Sequence, residues 1–233
     1  MGVRLKGWKF NTTEPRRGTI VYLHGVADNR GSSASIAEHF VPRGFDVVAY
    51  DSRAHGEPEG EARTYGYYEK ADLGKVLDQL AEPGPIVLLG TSLGAAVALQ
   101  AASEDKRVAA VISVATFSDL RTVASERAPF FACTANIESD LQLAEQLAKF
   151  KVNEVSPLLA AAKLRIPVLV IHGEDDKETT PSHSIRVHAA LAGPKELILV
   201  PNAGHNNSIN AISWDALSLR PIFGGVGVTE ERP

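Results

Sequence analysis

A serine flanked by glycines, Gly90-Thr91-Ser92-Leu93-Gly94, sits where the apolar run Pro85-Ile86-Val87-Leu88-Leu89 meets an alanine-rich stretch beginning at Ala95-Ala96. A serine hydroxyl is a weak nucleophile until a neighbouring base takes its proton, so its placement decides whether it can react. A sharp strand-to-helix turn would lift the Ser92 hydroxyl out of the sheet. It would also set the next backbone N–H, that of Leu93, beside it to stabilise an oxyanion. Gly90 and Gly94 suit a turn so crowded that a Cβ would collide with neighbouring backbone. The chemistry this predicts is attack on a carbonyl by an activated hydroxyl.

The base must come from elsewhere. In open parallel sheets ligands bind beyond the carboxyl ends of the strands, so a loop following a strand is the expected source. Among seven histidines, His205 fits: Pro201-Asn202-Ala203-Gly204-His205-Asn206 follows the last apolar run. Gly204 would give that loop conformational freedom, and Asn206 or Asn207 would cap a helix behind it. His39, His183 and His188 fall within helical patterns and read as surface residues, whereas His172 ends an apolar run and reads as a buried structural histidine. An imidazole base needs a carboxylate to fix its tautomer and stabilise the imidazolium. The segment His172-Gly173-Glu174-Asp175-Asp176-Lys177-Glu178 offers four acids, and Asp119 follows an earlier apolar run. That acidic loop lacks the alternating ligand pattern of a calcium site.

Apolar runs of strand length recur at residues 19–24, 46–51, 85–90, 108–114, 167–172 and 196–201. Rich in Val, Ile and Leu with little alternation, they read as parallel strands covered on both faces. Helical patterns fall between them at 32–43, 67–80, 93–103, 182–191 and 207–217. The alternation implies an α/β fold, a doubly wound, mostly parallel sheet flanked by helices. Residues 3–13 read as an antiparallel edge strand. The interval 116–165 is too long for one crossover and holds short helical patterns at 118–125, 139–150 and 156–164. It reads either as an extra helical layer or as a helical lid insertion within a single domain spanning residues 1–233, the lid having Phe130, Phe131 and Phe150 as candidate apolar walls. The glycine-rich, then charged, tail 224–233 is expected to fray.

Bulk properties narrow the classes. With 24 basic and 28 acidic residues, a net charge of −4 and no basic run, the 233-residue chain does not read as a nucleic-acid binder. No run approaches the roughly 18–20 apolar residues of a membrane span, and the N-terminus lacks the apolar core of a signal peptide. The single cysteine, Cys133, excludes an internal disulfide. A cytoplasmic protein is expected. With no glycine-rich phosphate loop and no zinc-ligand spacing among the histidines, no metal, nucleotide or flavin is expected.

These motifs together resemble the α/β-hydrolase superfamily, in which the order is Ser, then acid, then His. His24-Gly25 resembles its oxyanion-loop motif. Asp51-Ser52-Arg53-Ala54-His55-Gly56 resembles its Asp-x-Arg-Gly-His-Gly turn, with Ala54 in place of the usual glycine. His172-Gly173-x-x-Asp176 resembles the acid-bearing turn and Gly204-His205-Asn206 the base-bearing loop. Within the superfamily the chain is most similar to compact serine aminopeptidase-like and dienelactone hydrolase-like enzymes. The usual family chain has an antiparallel pair of strands before the first long parallel one. Here there is room for one, which implies a truncated sheet or a piece of a longer chain.

The resemblance implies a Ser92–His205–Asp176 triad, with Asp175 and Asp119 as alternative acids. It implies an oxyanion hole built from the N–H groups of Leu93 and Val26, with Ala27 as the alternative to Val26. Arg53 and His55 are expected to be structural, and Tyr65, Tyr67 and Tyr68 are explained by packing and capping at least as well as by substrate contact. The expected activity is cleavage of a carboxylic ester or thioester of a small-molecule acyl substrate through an acyl-enzyme. The same triad would serve a peptidase, amidase or acyltransferase, and a non-catalytic binding module is a remoter alternative because fold does not dictate function.

Overall fold

The computed structural model describes residues 4–55, 62–80, 83–128 and 134–209. Seven strands form one sheet: β1 (Gly7–Phe10), β2 (Gly18–Leu23), β3 (Phe45–Tyr50), β4 (Ile86–Thr91), β5 (Val108–Val114), β6 (Val168–Gly173) and β7 (Lys195–Val200). Their spatial order is β1-β3-β2-β4-β5-β6-β7. β1 pairs antiparallel with β3, and every other pairing is parallel. The expected edge strand is therefore present, shortened to four residues.

The missing alternation has its cause in the layers. Val87 and Leu89 of β4 pack on one face with Ile36, Ala37 and Phe40 of α1 (Ser33–Phe40). Leu88 between them packs on the other face with Leu93, Val97 and Leu99 of α3 (Leu93–Ala102). α2 (Glu69–Asp78) and α7 (Pro181–Ala190) add Leu73, Leu77 and Val187 to that second face. A strand buried on both faces has no polar side to alternate with.

Helix limits differ from the sequence reading where backbone chemistry intervenes. Residues 32–43 divide into α1 and two flanking 3-10 turns, Arg30–Ser32 and Val41–Arg43. Pro42 has no N–H to continue the ladder, and Gly44 closes the second turn at φ 86°. α2 begins at Glu69 rather than 67, because the Glu69 carboxylate accepts from the N–H groups of Thr64 and Gly66 and organises the turn before it.

The described part of 116–165 forms α4 (Leu120–Arg127), α5 (Thr134–Ala148), a 3-10 turn at Val152–Glu154 and the short α6 (Pro157–Ala161). Phe117, Leu120, Val123, Phe150, Val152 and Val155 make a separate core against Ala96 of α3. Phe150 is thus a core residue and no cavity wall, a correction to the expectation. Phe130, Phe131, Cys133, most of the expected 207–217 helix and the 224–233 tail lie outside the described residues. Among the described residues no helix is long and apolar enough to cross a membrane.

Candidate active site

Ser92 occupies the turn between β4 and α3 at φ 50°, ψ −112°, a conformation an L residue adopts only under constraint. The constraint is visible. Its N–H donates to the Val114 carbonyl at 2.8 Å, tying the turn to β5. A Cβ on Gly90 would lie 2.3 Å from the Gly94 carbonyl oxygen, and one on Gly94 would lie 2.1 Å from that of Leu23. Both glycines are needed for close approach of backbone, as expected.

His205 and Asp176 arrive on the loops after β7 and β6. These loops interlock: the Asp175 N–H donates to the Ala203 carbonyl at 2.9 Å. A Cβ on Gly173 would come within 2.2 Å of that same oxygen. Gly204, by contrast, has an ordinary φ, and a Cβ there would make only an ordinary contact with Asn207 Oδ1 at 3.8 Å, so its expected conformational role is not used. The Asn207 side chain accepts from the Gly204 N–H at 2.7 Å, bracing the loop from within.

His205 Nε2 lies 2.9 Å from Ser92 Oγ, and its Nδ1 lies 2.6 Å from Asp176 Oδ2. The carboxylate can only accept, so Nδ1 carries the proton and Nε2 is left to receive one from Ser92. Asp176 is buried. Its Oδ1 accepts from the N–H groups of Glu178 and Thr179, each at 2.9 Å. Burial by itself raises a carboxyl pKa. Here the hydrogen bonds from His172, His205 and Thr179 prevail and hold Asp176 far below the usual range, fully ionised.

His172 is closer to the chemistry than its sequence reading allowed. It is buried, as expected, but its Nε2 lies 3.0 Å from Asp176 Oδ2 and 2.7 Å from the Thr179 carbonyl. Both partners are acceptors, so Nε2 carries hydrogen and Nδ1 accepts from the Ser184 hydroxyl at 2.6 Å. One oxygen of Asp176 thus serves two imidazoles. The four-residue spacing His172…Asp176 was the available signal.

The alternative acids lie elsewhere. Asp175 is exposed and takes part through its backbone. Asp119 caps α4, accepting from the Thr122 N–H and the Ser118 hydroxyl, each at 2.8 Å. The expectation that His39 and His183 are surface residues is wrong, since both are buried. His183 joins α7 to α4: its Nε2 meets Glu126 at 2.9 Å, and its Nδ1 accepts from the Ser118 N–H at 3.0 Å. Polar residues on a helical stripe read as exposed unless a distant partner is known, and Glu126 is 57 positions away. His188 is half-buried.

Two histidines shape the loop after β2. His24 Nε2 accepts from the Ser52 N–H at 3.0 Å, so its Nδ1–H donates to the Gly25 carbonyl at 2.8 Å. Burial, the larger effect, pushes the His24 pKa down and keeps it neutral, against the opposing pull of the Gly25 carbonyl. His55 bridges two carbonyls, its Nε2 2.7 Å from that of Val26 and its Nδ1 2.9 Å from that of Arg53. In a trans peptide the N–H points opposite to the carbonyl, so anchoring the Gly25 oxygen sets the direction of the Val26 N–H. Anchoring the Val26 oxygen does the same for Ala27. Ala54 reaches the left-handed region, φ 55°, which explains why the resembling motif has glycine there. Gly56 of that motif lies outside the described residues. Arg53 pairs with Asp72 at 2.6 Å, a structural role as expected.

Leu93 opens α3, where first-turn N–H groups have no intrahelical acceptor. Val26 and Ala27 line, with Ser92 and His205, a cavity of about 520 Å³. α4 contributes Arg127 to its rim, where the guanidinium donates to the Glu178 carbonyl and the Thr179 hydroxyl, both at 2.8 Å. Among the described residues no cluster of His, Cys, Asp and Glu is arranged to hold a metal ion.

Known proteins resemble this chain in sequence or in fold to differing extents. The family model described as serine aminopeptidase, S33, matches residues 14–157. The uncharacterized protein YqkD of Bacillus subtilis is 33% identical over 199 residues, which cover 80% of this chain and 64% of that protein. The chain thus spans under two thirds of that relative's length. Acetyl xylan esterase 1 from Thermoanaerobacterium superposes with a TM-score of 0.72 at 18% identity, covering 96% of this chain and 80% of that one. The Pyrococcus furiosus esterase Pf2001 gives 0.72 at 22%, covering 93% and 85%. At these identities the structural likeness speaks for the fold.

Proposed function

Because the chain belongs to the serine aminopeptidase S33 family of the α/β-hydrolase superfamily, we propose that it is a serine hydrolase acting on an ester-type bond of a small acyl substrate. The observation that carries this reading is the unbroken chain Ser92 Oγ–His205 Nε2 and His205 Nδ1–Asp176 Oδ2, 2.9 and 2.6 Å long, at the floor of an open cavity.

In this mechanism Ser92 Oγ attacks the acyl carbonyl while its proton passes to His205 Nε2. The N–H groups of Leu93 and Val26 hold the oxyanion, each worth on the order of 3 kcal/mol in comparable sites. The carbon–oxygen bond to the leaving group breaks as His205 returns the proton to it, leaving the acyl group on Ser92. Water then attacks the acyl carbon while His205 takes its proton, the acyl–Oγ bond breaks as His205 passes that proton to Ser92 Oγ, and the acid is released. Asp176 stays ionised throughout and stabilises the imidazolium. Arg127 of α4 lines the cavity beside the loop that carries Asp176.

Two measurements test the reading together. A fluorophosphonate probe is expected to label the protein, and Ser92→Ala is expected to abolish labelling; labelling that survives would remove Ser92 as nucleophile. On 4-nitrophenyl esters, acetate and butyrate are expected to exceed laurate in kcat/KM by at least about tenfold, since much of the cavity's lining among the described residues is hydroxyl and carboxylate. An alanine 4-nitroanilide cleaved faster than these esters would favour the amidase alternative.

A further inference from the structure

The hydroxyl groups behind Ser92 form a chain whose direction can be read. The Ser32 hydroxyl donates to the Asn29 carbonyl at 3.0 Å, and a carbonyl cannot donate in return. Ser32 has no second proton, so the contact of 3.1 Å between Tyr22 Oη and Ser32 Oγ is a donation by Tyr22. Tyr22 in turn has no proton left. The contact of 3.4 Å between Thr91 Oγ1 and Tyr22 Oη is therefore a donation by Thr91. The protons of Tyr22 and Ser32 are committed along Tyr22→Ser32→Asn29, and that of Thr91 has Tyr22 Oη as a long-range acceptor, so what Tyr22 and its neighbour Thr91 offer to a ligand is chiefly lone pairs.

All three hydroxyl-bearing residues line the same cavity as Ser92 and His205. Thr91 immediately precedes the nucleophile. Its Oγ1 would lie 3.9 Å from a Cβ on Gly25, in the loop that carries Val26. Asp28 lines the same cavity, and one of its oxygens accepts from the Asn29 N–H at 2.8 Å. Tyr22 is buried, and burial, with Asp28 nearby, pushes its phenol pKa up, so the chain stays protonated as described.

We infer that the acyl subsite beside Ser92 selects an acyl group bearing a hydroxyl close to the carbonyl, received as a hydrogen-bond donor by Thr91 Oγ1 and Tyr22 Oη. The inference rests on Ser92 being the nucleophile. A site of acceptors rewards a donor and leaves an ether or a methylene unrewarded. A hydroxyl fits the neutral chain, whereas an ammonium would draw mainly on Asp28.

The test compares 4-nitrophenyl esters of butyrate, 3-hydroxybutyrate, 3-methoxybutyrate and 3-aminobutyrate. In the wild type the hydroxy ester is expected to exceed butyrate about tenfold in kcat/KM, with the methoxy ester at or below butyrate. In Thr91→Val and in Tyr22→Phe the ratio of hydroxy to plain ester is expected to fall to about one, each variant being checked by its melting temperature. Three results would overturn the inference: a wild-type ratio near one, a preference that survives both variants, or a larger gain for the amino ester that depends on Asp28. Turnover of butyrate that is lost in Ser92→Ala shows the nucleophile reading intact whichever of these appears, so the two readings fail separately.

Discussion

Asp176→Asn is expected to lower kcat on 4-nitrophenyl butyrate about 10⁴-fold, while Asp175→Asn stays within about twofold of the wild type. The carboxylate of Asp176 accepts on both oxygens, from two backbone N–H groups on Oδ1 and two imidazoles on Oδ2. An amide has one acceptor oxygen and one donor NH2. With the oxygen kept toward Glu178 and Thr179, the NH2 confronts the His172 Nε2–H and forces His205 to accept at Nδ1. The proton of His205 then sits on Nε2, facing Ser92 with no capacity to take another. Turning the amide over sets its NH2 against two backbone donors instead. Neither orientation satisfies all four contacts, so loss of folding stability should accompany loss of rate. Asp175 contributes a backbone N–H that the substitution leaves in place. Steady-state kinetics of both variants decide the matter, and a larger loss in Asp175→Asn would reverse the assignment of the acid.

Gly94→Ala is expected to destabilise the protein by more than about 3 kcal/mol, measured as a fall in the denaturant midpoint at unchanged slope. The added methyl would sit 2.1 Å from the Leu23 carbonyl oxygen and 2.8 Å from that of His24. These are backbone atoms at the end of a central strand, and they have no rotamer by which to yield. Any shift also moves the loop bearing Val26, so activity should fall in the fraction that folds. Gly74→Ala is the internal control. It lies in α2, where an added methyl would meet nothing within 4 Å, and alanine there should be neutral or up to about 1 kcal/mol stabilising. Equal midpoints for the two variants would contradict the packing argument.

Much of this architecture was legible in the residues. The six parallel strands announced themselves as unbroken apolar runs because five are covered on both faces, the edge strand β7 being half-buried, and their ends fell close to expectation. The turn at Ser92 was legible too: Gly90 answers contacts within the strand-turn-helix unit, although Gly94 makes room for the Leu23 and His24 carbonyls of another strand. Helix limits were less legible where a proline or a capping carboxylate intervened, as at Pro42 and Glu69. Burial of polar side chains was misjudged at His39 and His183, and the role of Phe150 was misjudged because its apolar partners lie across the insertion.

The sequence alone determined the alternation of strands and helices, the crowded turn that presents Ser92 and the chain order Ser, acid, His. These depend on residue type and local spacing, which a linear chain states directly. Only the tertiary structure decided that Asp176, among several nearby carboxylates, meets His205, that His172 shares its oxygen, and that the hydroxyls of Thr91, Tyr22 and Ser32 point in a single direction. Each of these rests on hydrogen bonds between segments brought together by folding. Whether a given polar atom donates or accepts is settled by partners that stand far along the chain, and no local pattern records them.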